Sequence, residues 1–191
     1  MFFLLSFILF VMSPLTADDN SMELNLTNDL FEIEFFDPTA DTLSSTLTYT
    51  TLALPALLLF EEQDSPWGLP LAYGTAIGST LLIKSTLKLF IEKQRPPAYI
   101  DRFGVEGQKS SDSFPSGHTA LSFAAASFVS VAYAKEHRDS SMALAIPAIS
   151  FGFSTLSGTF RFSSGSHFPI DIFAGALIGT VTGGLCAYLL Y

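Results

Sequence analysis

The chain has 191 residues, of which 49% are hydrophobic and 14% charged, with a formal net charge of −9. One folding unit is expected at this length, and a charged fraction well under the roughly 25% of ordinary globular chains is a membrane signature. The acidic balance excludes a nucleic-acid surface, which needs clustered Lys and Arg; a single cysteine, Cys186, excludes an internal disulfide; and without zinc-type Cys/His spacing or a Gly-rich nucleotide loop, neither a metal nor a cofactor is expected.

A bilayer core of about 30 Å needs roughly 20 apolar residues as helix. Residues 2–12 ("FFLLSFILFVM") are a shorter apolar run closed by Pro14, with no basic side chain ahead of it. Residues 1–17 therefore read either as a cleaved signal peptide or as an uncleaved first span. Residues 18–43 are acidic and are expected to form an extramembrane or interfacial segment. They cannot be a polybasic lipid anchor, because the first basic side chain is Lys84.

Five apolar runs follow, at about 44–60, 69–91, 115–134, 142–159 and 169–191. The expected fold is all-α, with residues 44–191 forming a polytopic membrane bundle and five or six transmembrane helices in the whole chain. Helices pack closely in lipid through small residues, so Gly74 with Gly78, and Gly175 with Gly179 and Gly183, are expected to form packing ridges. Loop charge alone leaves the orientation open. Lys135 and Arg138 mark the loop 135–140 as cytoplasmic, yet the loop 61–66 on the same side is acidic, and the loop 92–114 opposite carries four basic residues.

Three stretches carry chemistry. In "KLFIEKQRP", Lys88 and Arg95 are spaced so that two cations can converge on one anion, with Pro96 expected to stop the helix and leave Arg95 at its mouth. In "FPSGHTA", Pro115, Ser116 and Gly117 lead into a helix whose free N–H groups and dipole favour an anion, and His118 stands at the same mouth. In "RFSSGSHFPID", Arg161, His167 and Asp171 lie around a helix start. Asp171 can there accept from one imidazole nitrogen of His167, leaving the other free to attack. Three cations, backbone donors and two of the three histidines thus fall at helix ends on one side of the bundle, an arrangement suited to phosphate. His137 falls in the opposite loop.

K-x6-R-P, then P-S-G-H, then R-x5-H-x3-D, in that order on membrane helices, resembles the type 2 phosphatidic acid phosphatase superfamily, which includes bacterial lipid phosphatases, soluble acid phosphatases and vanadium haloperoxidases. The resemblance implies that His167 attacks phosphorus to give a phosphohistidine, Asp171 orients it, and His118 protonates the leaving oxygen and then activates water. Lys88, Arg95 and Arg161 would hold the phosphoryl oxygens with Ser116 and the Gly117 N–H, and no metal is required. It also implies an active site on the outer face of a bacterial cytoplasmic membrane, in agreement with Lys135 and Arg138 facing inward. One position departs from the family: Phe160 stands where a Ser usually precedes the motif arginine, so the hydroxyl is lost or comes from a neighbour such as Thr159.

The activity expected is hydrolysis of a lipid phosphate monoester or diphosphate: undecaprenyl diphosphate, phosphatidylglycerophosphate, phosphatidic acid or a lipid A phosphate. The partners expected are that lipid and the bilayer. A soluble periplasmic acid phosphatase or haloperoxidase, and a lipid-phosphate binding protein without turnover, are the alternatives.

Overall fold

A computed structural model describes residues 35–60, 67–105, 111–137 and 139–191. The expectations for residues 1–17, for most of the acidic segment, for the loop 61–66 and for Arg138 lie outside the described residues. Helix α1, Pro38–Ala53, starts where the Asp37 carboxylate accepts from the N–H groups of Thr39 at 2.8 Å and Ala40 at 3.2 Å. Pro38 takes the first helical position, where its missing donor costs nothing. Helix α1 therefore runs without a break across 43/44, where the acidic composition gives way to the first apolar run. Close to Pro55 the α-helix gives way to a 3₁₀ segment, Leu54–Phe60, since proline removes a ladder donor.

The remaining helices are α2 (Gly68–Phe90), α3 (Pro97–Phe103), α4 (Gly117–Glu136), α5 (Ala145–Ser163) and α6 (Pro169–Leu190), with a 3₁₀ turn at Ser141–Ala143 before α5. No strand occurs among the described residues, in line with the all-α expectation. Helix α4 is central and packs against α1, α2, α5 and α6. Its Ala120, Ala124, Ala125, Ala126, Phe128 and Ala132 are all inaccessible, as expected for a helix enclosed on every side.

Closest approach is between α4 and α6. A β-carbon placed on Gly175, Gly179 or Gly183 would lie 2.6, 2.1 or 2.0 Å from the carbonyl oxygens of Ser116, Ala120 and Ala124. This ridge is the one expected from the sequence, and only glycine allows it. Gly74 and Gly78 behave differently: a β-carbon at either would have nothing within 4 Å, so their spacing marks no contact within the bundle.

The interior is rich in hydroxyls beside an apolar cluster around Leu58, Leu69, Phe128 and Val129. Thr80 and Thr182 hydroxyls meet at 2.6 Å between α2 and α6, Ser122 donates to Ser154 at 2.9 Å between α4 and α5, and Ser157 bonds Thr48 at 2.7 Å between α5 and α1. Large apolar side chains point outward instead, among them Leu82 at 68% exposure, Phe173 at 64% and Leu144 at 83%. The inward Ser and Thr lower the hydropathy of their helices. Among the described residues only α6 is long and apolar enough, by length and composition alone, to cross a membrane, although α2, α4 and α5 have 23, 20 and 19 residues.

Candidate active site

Five helix termini meet at one end of the bundle: the starts of α1, α4 and α6 and the ends of α2 and α5. The starts of α4 and α6 are tied directly, since the Ser116 N–H donates to the Asp171 carbonyl at 2.9 Å. That N–H is therefore engaged, contrary to the expectation of a free donor. The Ser116 hydroxyl, fully buried, lies 3.0 Å from that of Thr119. Gly117 opens α4, and the Lys84 side chain lies against it: a β-carbon at Gly117 would be 3.2 Å from Lys84 Cδ.

Lys88 stands in the last turn of α2, as expected, but Arg95 does not cap that helix. α2 ends at Phe90, because residues 93 and 112–113 pair in strand fashion, with the Ser113 N–H donating to the Lys93 carbonyl at 3.0 Å. Arg95 reaches the site from the loop that this pairing creates. Its Nε donates to Asp112 Oδ1 at 2.6 Å, its Nη1 to the Ser166 carbonyl at 3.3 Å, and its guanidinium lies 4.4 Å from the centre of the Tyr99 ring. Lys88 donates to the Asp112 carbonyl and lies 3.6 Å from Asp112 Oδ2. Both cations thus share one internal carboxylate. Burial alone would raise the Asp112 pKa, but the hydrogen bond and charge of Arg95, with Lys88, hold it below the ordinary value.

Asp171 is completely buried in the first turn of α6. Its Oδ2 accepts from Ser113 Oγ at 2.6 Å and the Phe168 N–H at 3.0 Å, and its Oδ1 faces Lys93 Nζ at 3.0 Å. His167 Nδ1 lies 3.7 Å from Asp171 Oδ2 and 3.5 Å from Ser113 Oγ, so the expected pair is adjacent but longer than a hydrogen bond. Among the described residues no hydrogen bond engages the His118 ring, which lies within electrostatic reach of Arg161, His167 and Arg95. Arg161, only 5% exposed, is gripped by α1 through Ser44, Asp41 and Ser45. Thr159 does not supply the hydroxyl that Phe160 lacks. It donates to the Thr155 carbonyl, whereas Ser44 and Ser45 bring hydroxyls to Arg161 from another helix.

All eight residues singled out from the sequence come to this end of the bundle. Lys93, Ser113, Asp112 and Asp41 were not among them. Lys93 and Ser113 lie inside or beside the motifs, so a fourth cation within "KLFIEKQRP" was a readable signal; the pairing of Asp41 with Arg161 had none.

The sequence profile of the PAP2 superfamily matches residues 69–191, well over half of the chain. The chain belongs to the PAP2 superfamily. No curated protein matches it at a significant level. Two solved structures are similar. The crystal structure of Aquifex aeolicus LpxE has a TM-score of 0.54 and 25% identity, covering 90% of this chain and 96% of the other. That of a transmembrane PAP2 type phosphatidylglycerolphosphate phosphatase from Bacillus subtilis has a TM-score of 0.68 and 21% identity, covering 96% and 92%. The PAP2 match contains α2 to α6 and leaves out α1.

Burial lowers His167 to about 4, with Asp171 opposing the shift and Arg95 and Lys88 adding to it, so its imidazole is neutral at physiological pH. The unfolded chain, near the ordinary 6.5, binds more protons between those two values. Stability is therefore fully present above pH 6.5 and falls as the pH drops toward 4. Thermal unfolding in detergent should show a lower midpoint at pH 4.5 than at pH 7, a difference that His167→Gln should shrink.

A second expectation concerns Lys93, whose side chain is 11% exposed beside the inaccessible Asp171. Lys93→Met leaves that carboxylate without its cation, which should destabilise the fold by about 3 kcal/mol. Adding Asp171→Asn removes the stranded charge, so the double variant should unfold at a higher temperature than Lys93→Met alone. Additive losses in the two variants would contradict the pairing.

Proposed function

We propose that this PAP2 protein is a polytopic membrane lipid phosphatase that hydrolyses a phosphate monoester or diphosphate through a phosphohistidine. The observation that carries the reading is the gathering of Lys88, Arg95 and Arg161 around His118 and His167 at one end of a bundle with many exposed large apolar side chains and hydroxyl contacts between its helices. Such a bundle suits lipid, where hydrophobic side chains face the tails and hydroxyls link helices. α6, with 22 residues, is about 33 Å long, enough for the hydrocarbon core. Exposed aromatic residues lie near both ends of the bundle: Phe35, Phe90 and Phe103 by the site, Trp67 and Tyr188 opposite. The bundle runs from Pro38 onward and includes the end of the acidic segment.

In this reading His167 attacks phosphorus while the bond to the leaving oxygen breaks, and His118, protonated once the anionic phosphate lies beside it, gives that oxygen its proton. His118, now neutral, takes a proton from water as the water oxygen attacks the phosphohistidine, and inorganic phosphate leaves with His167 restored. Lys88, Arg95 and Arg161, with Ser116 and the Gly117 N–H, hold the equatorial oxygens where charge is spread in the transition state. Asp171 and Ser113 stand on the Nδ1 side of the imidazole, which leaves Nε2 as the nitrogen to attack. A site at the bundle end suits a lipid whose phosphate is wet while its tails stay in the bilayer. Undecaprenyl diphosphate, phosphatidylglycerophosphate, phosphatidic acid and a lipid A phosphate all meet that description. One of the two similar structures is by name a phosphatidylglycerolphosphate phosphatase, which favours a lipid-linked phosphate of this kind. The membrane is the bacterial cytoplasmic membrane, with the site facing outward.

The test is phosphate release by the detergent-solubilised full chain from those four lipids and from a soluble sugar phosphate. At least one lipid should be turned over with kcat/KM well above that for the sugar phosphate. A preference for the sugar phosphate, or partition of the protein into water without detergent, would favour the soluble phosphatase alternative.

A further inference from the structure

We propose that α1 is the positioning element for Arg161, with Asp41 as its key residue. The inference rests on the reading of Arg161 as a phosphoryl-binding residue. Arg161 Nε donates to Ser44 Oγ at 2.9 Å, Nη1 to Asp41 Oδ1 at 2.6 Å and Nη2 to Ser45 Oγ at 2.6 Å. A guanidinium has five N–H donors in a fixed fork, so three bonds to one helix set its plane and still leave one N–H on each terminal nitrogen for an anion. Such fixing lowers the cost of ordering a long side chain when substrate arrives.

Asp41 does more than pair with one cation. Its Oδ1 also accepts from Ser166 Oγ at 3.0 Å, and the Ser166 carbonyl receives Arg95 Nη1 at 3.3 Å. One carboxylate therefore anchors Arg161 directly and Arg95 through the loop before His167. α1 is itself locked in place at both levels of the contact. The Asp37 N–H donates to the Ser164 carbonyl at 3.2 Å, and Ser44 and Ser157 exchange hydroxyl-to-carbonyl bonds at 2.8 and 3.0 Å. The α1 partners in these contacts, Asp37, Asp41, Ser44 and Ser45, lie outside the stretch that matches the PAP2 profile, whereas Arg161 and the loop before His167 lie inside it.

The experiment compares the full chain in detergent with Asp41→Ala, Asp41→Asn, Ser45→Ala, Arg161→Ala and Asp41→Ala/Arg161→Ala. It measures turnover of the preferred lipid phosphate, the dissociation constant for orthovanadate as a phosphate mimic, and thermal unfolding. Asp41→Ala should lower kcat/KM about 10- to 100-fold and weaken vanadate comparably. Asp41→Asn, whose carboxamide oxygen still accepts, should lose less. The double variant should lose far less than the product of the two single losses, because Asp41 acts mainly through that arginine and only indirectly on Arg95. Losses that multiply in the double variant, or an Asp41→Ala protein within twofold of the parent in both assays, would overturn the proposal. If Asp41→Ala does not fold, Asp41→Asn and Ser45→Ala set against Arg161→Ala decide it by the same comparison. A parent protein that binds vanadate but releases no phosphate from lipid would refute the lipid phosphatase reading while the vanadate constants still decide the role of Asp41. A parent that does neither overturns both.

Discussion

Replacing His167 with alanine should lower phosphate release by at least about a thousandfold, and the His118→Ala variant by about a hundred- to ten-thousandfold. The asymmetry follows from the proposed roles. His167 is enclosed, neutral at working pH, and has one ring nitrogen turned to the Ser113 and Asp171 side. Without it there is no atom to receive the phosphoryl group. His118 would only move protons, so its loss should depend on the leaving group. With p-nitrophenyl phosphate, whose leaving oxygen needs little protonation, His118→Ala should still release a burst of close to one equivalent of nitrophenol and then stall, since water lacks its base. His167→Ala should give no burst. Normal turnover by His167→Ala on any preferred substrate would remove the phosphohistidine mechanism altogether.

The second large effect concerns folding. Gly179→Ala places a methyl group 2.1 Å from the Ala120 carbonyl oxygen and 2.7 Å from the Ala124 nitrogen, both backbone atoms that no rotamer change can move. α4 and α6 must then separate, and they are the two helices whose N-termini carry His118 and Asp171. Overpacking a tight core costs about 1–3 kcal/mol, and a clash with backbone on this scale belongs at or above the upper end. Gly179→Ala should thus lower the thermal midpoint and the phosphatase activity together. Gly74→Ala and Gly78→Ala provide the control, with nothing within 4 Å of the added carbon, and should leave both within error of the parent. Equal behaviour of the three variants would mean that α4 and α6 do not pack as described.

Both predictions draw on features visible in the chain itself. The three motifs are short, ordered and dense in charge, and each sits where an apolar run starts or stops, so their convergence at helix ends followed from local patterning. The glycine ridge on α6 was legible for the same reason, as a period of four on a long helix. The identical spacing on α2 carried no such meaning, because a period shows which residues share a face and not what that face meets. Apolar run length and mean hydropathy part company in one respect. Helices α2, α4 and α5 have spanning length, yet their inward Ser and Thr, and the two lysines of α2, dilute the hydropathy that a window detects.

What the sequence by itself determined is the family, the all-helical class and the identity of the residues that gather at the site, since these depend on residue types at fixed short spacings. Only the tertiary structure decided how those residues are held. Asp112 shares Lys88 and Arg95, Lys93 neutralises Asp171, and Asp41 fixes Arg161 across 120 positions of chain. Electrostatic partners act through space, here at distances of 2.6 to 3.6 Å that no periodicity encodes. The segment that looked like an acidic appendage supplies, from Asp37 on, the cap and first turns of the helix that holds the Arg161 guanidinium by three hydrogen bonds.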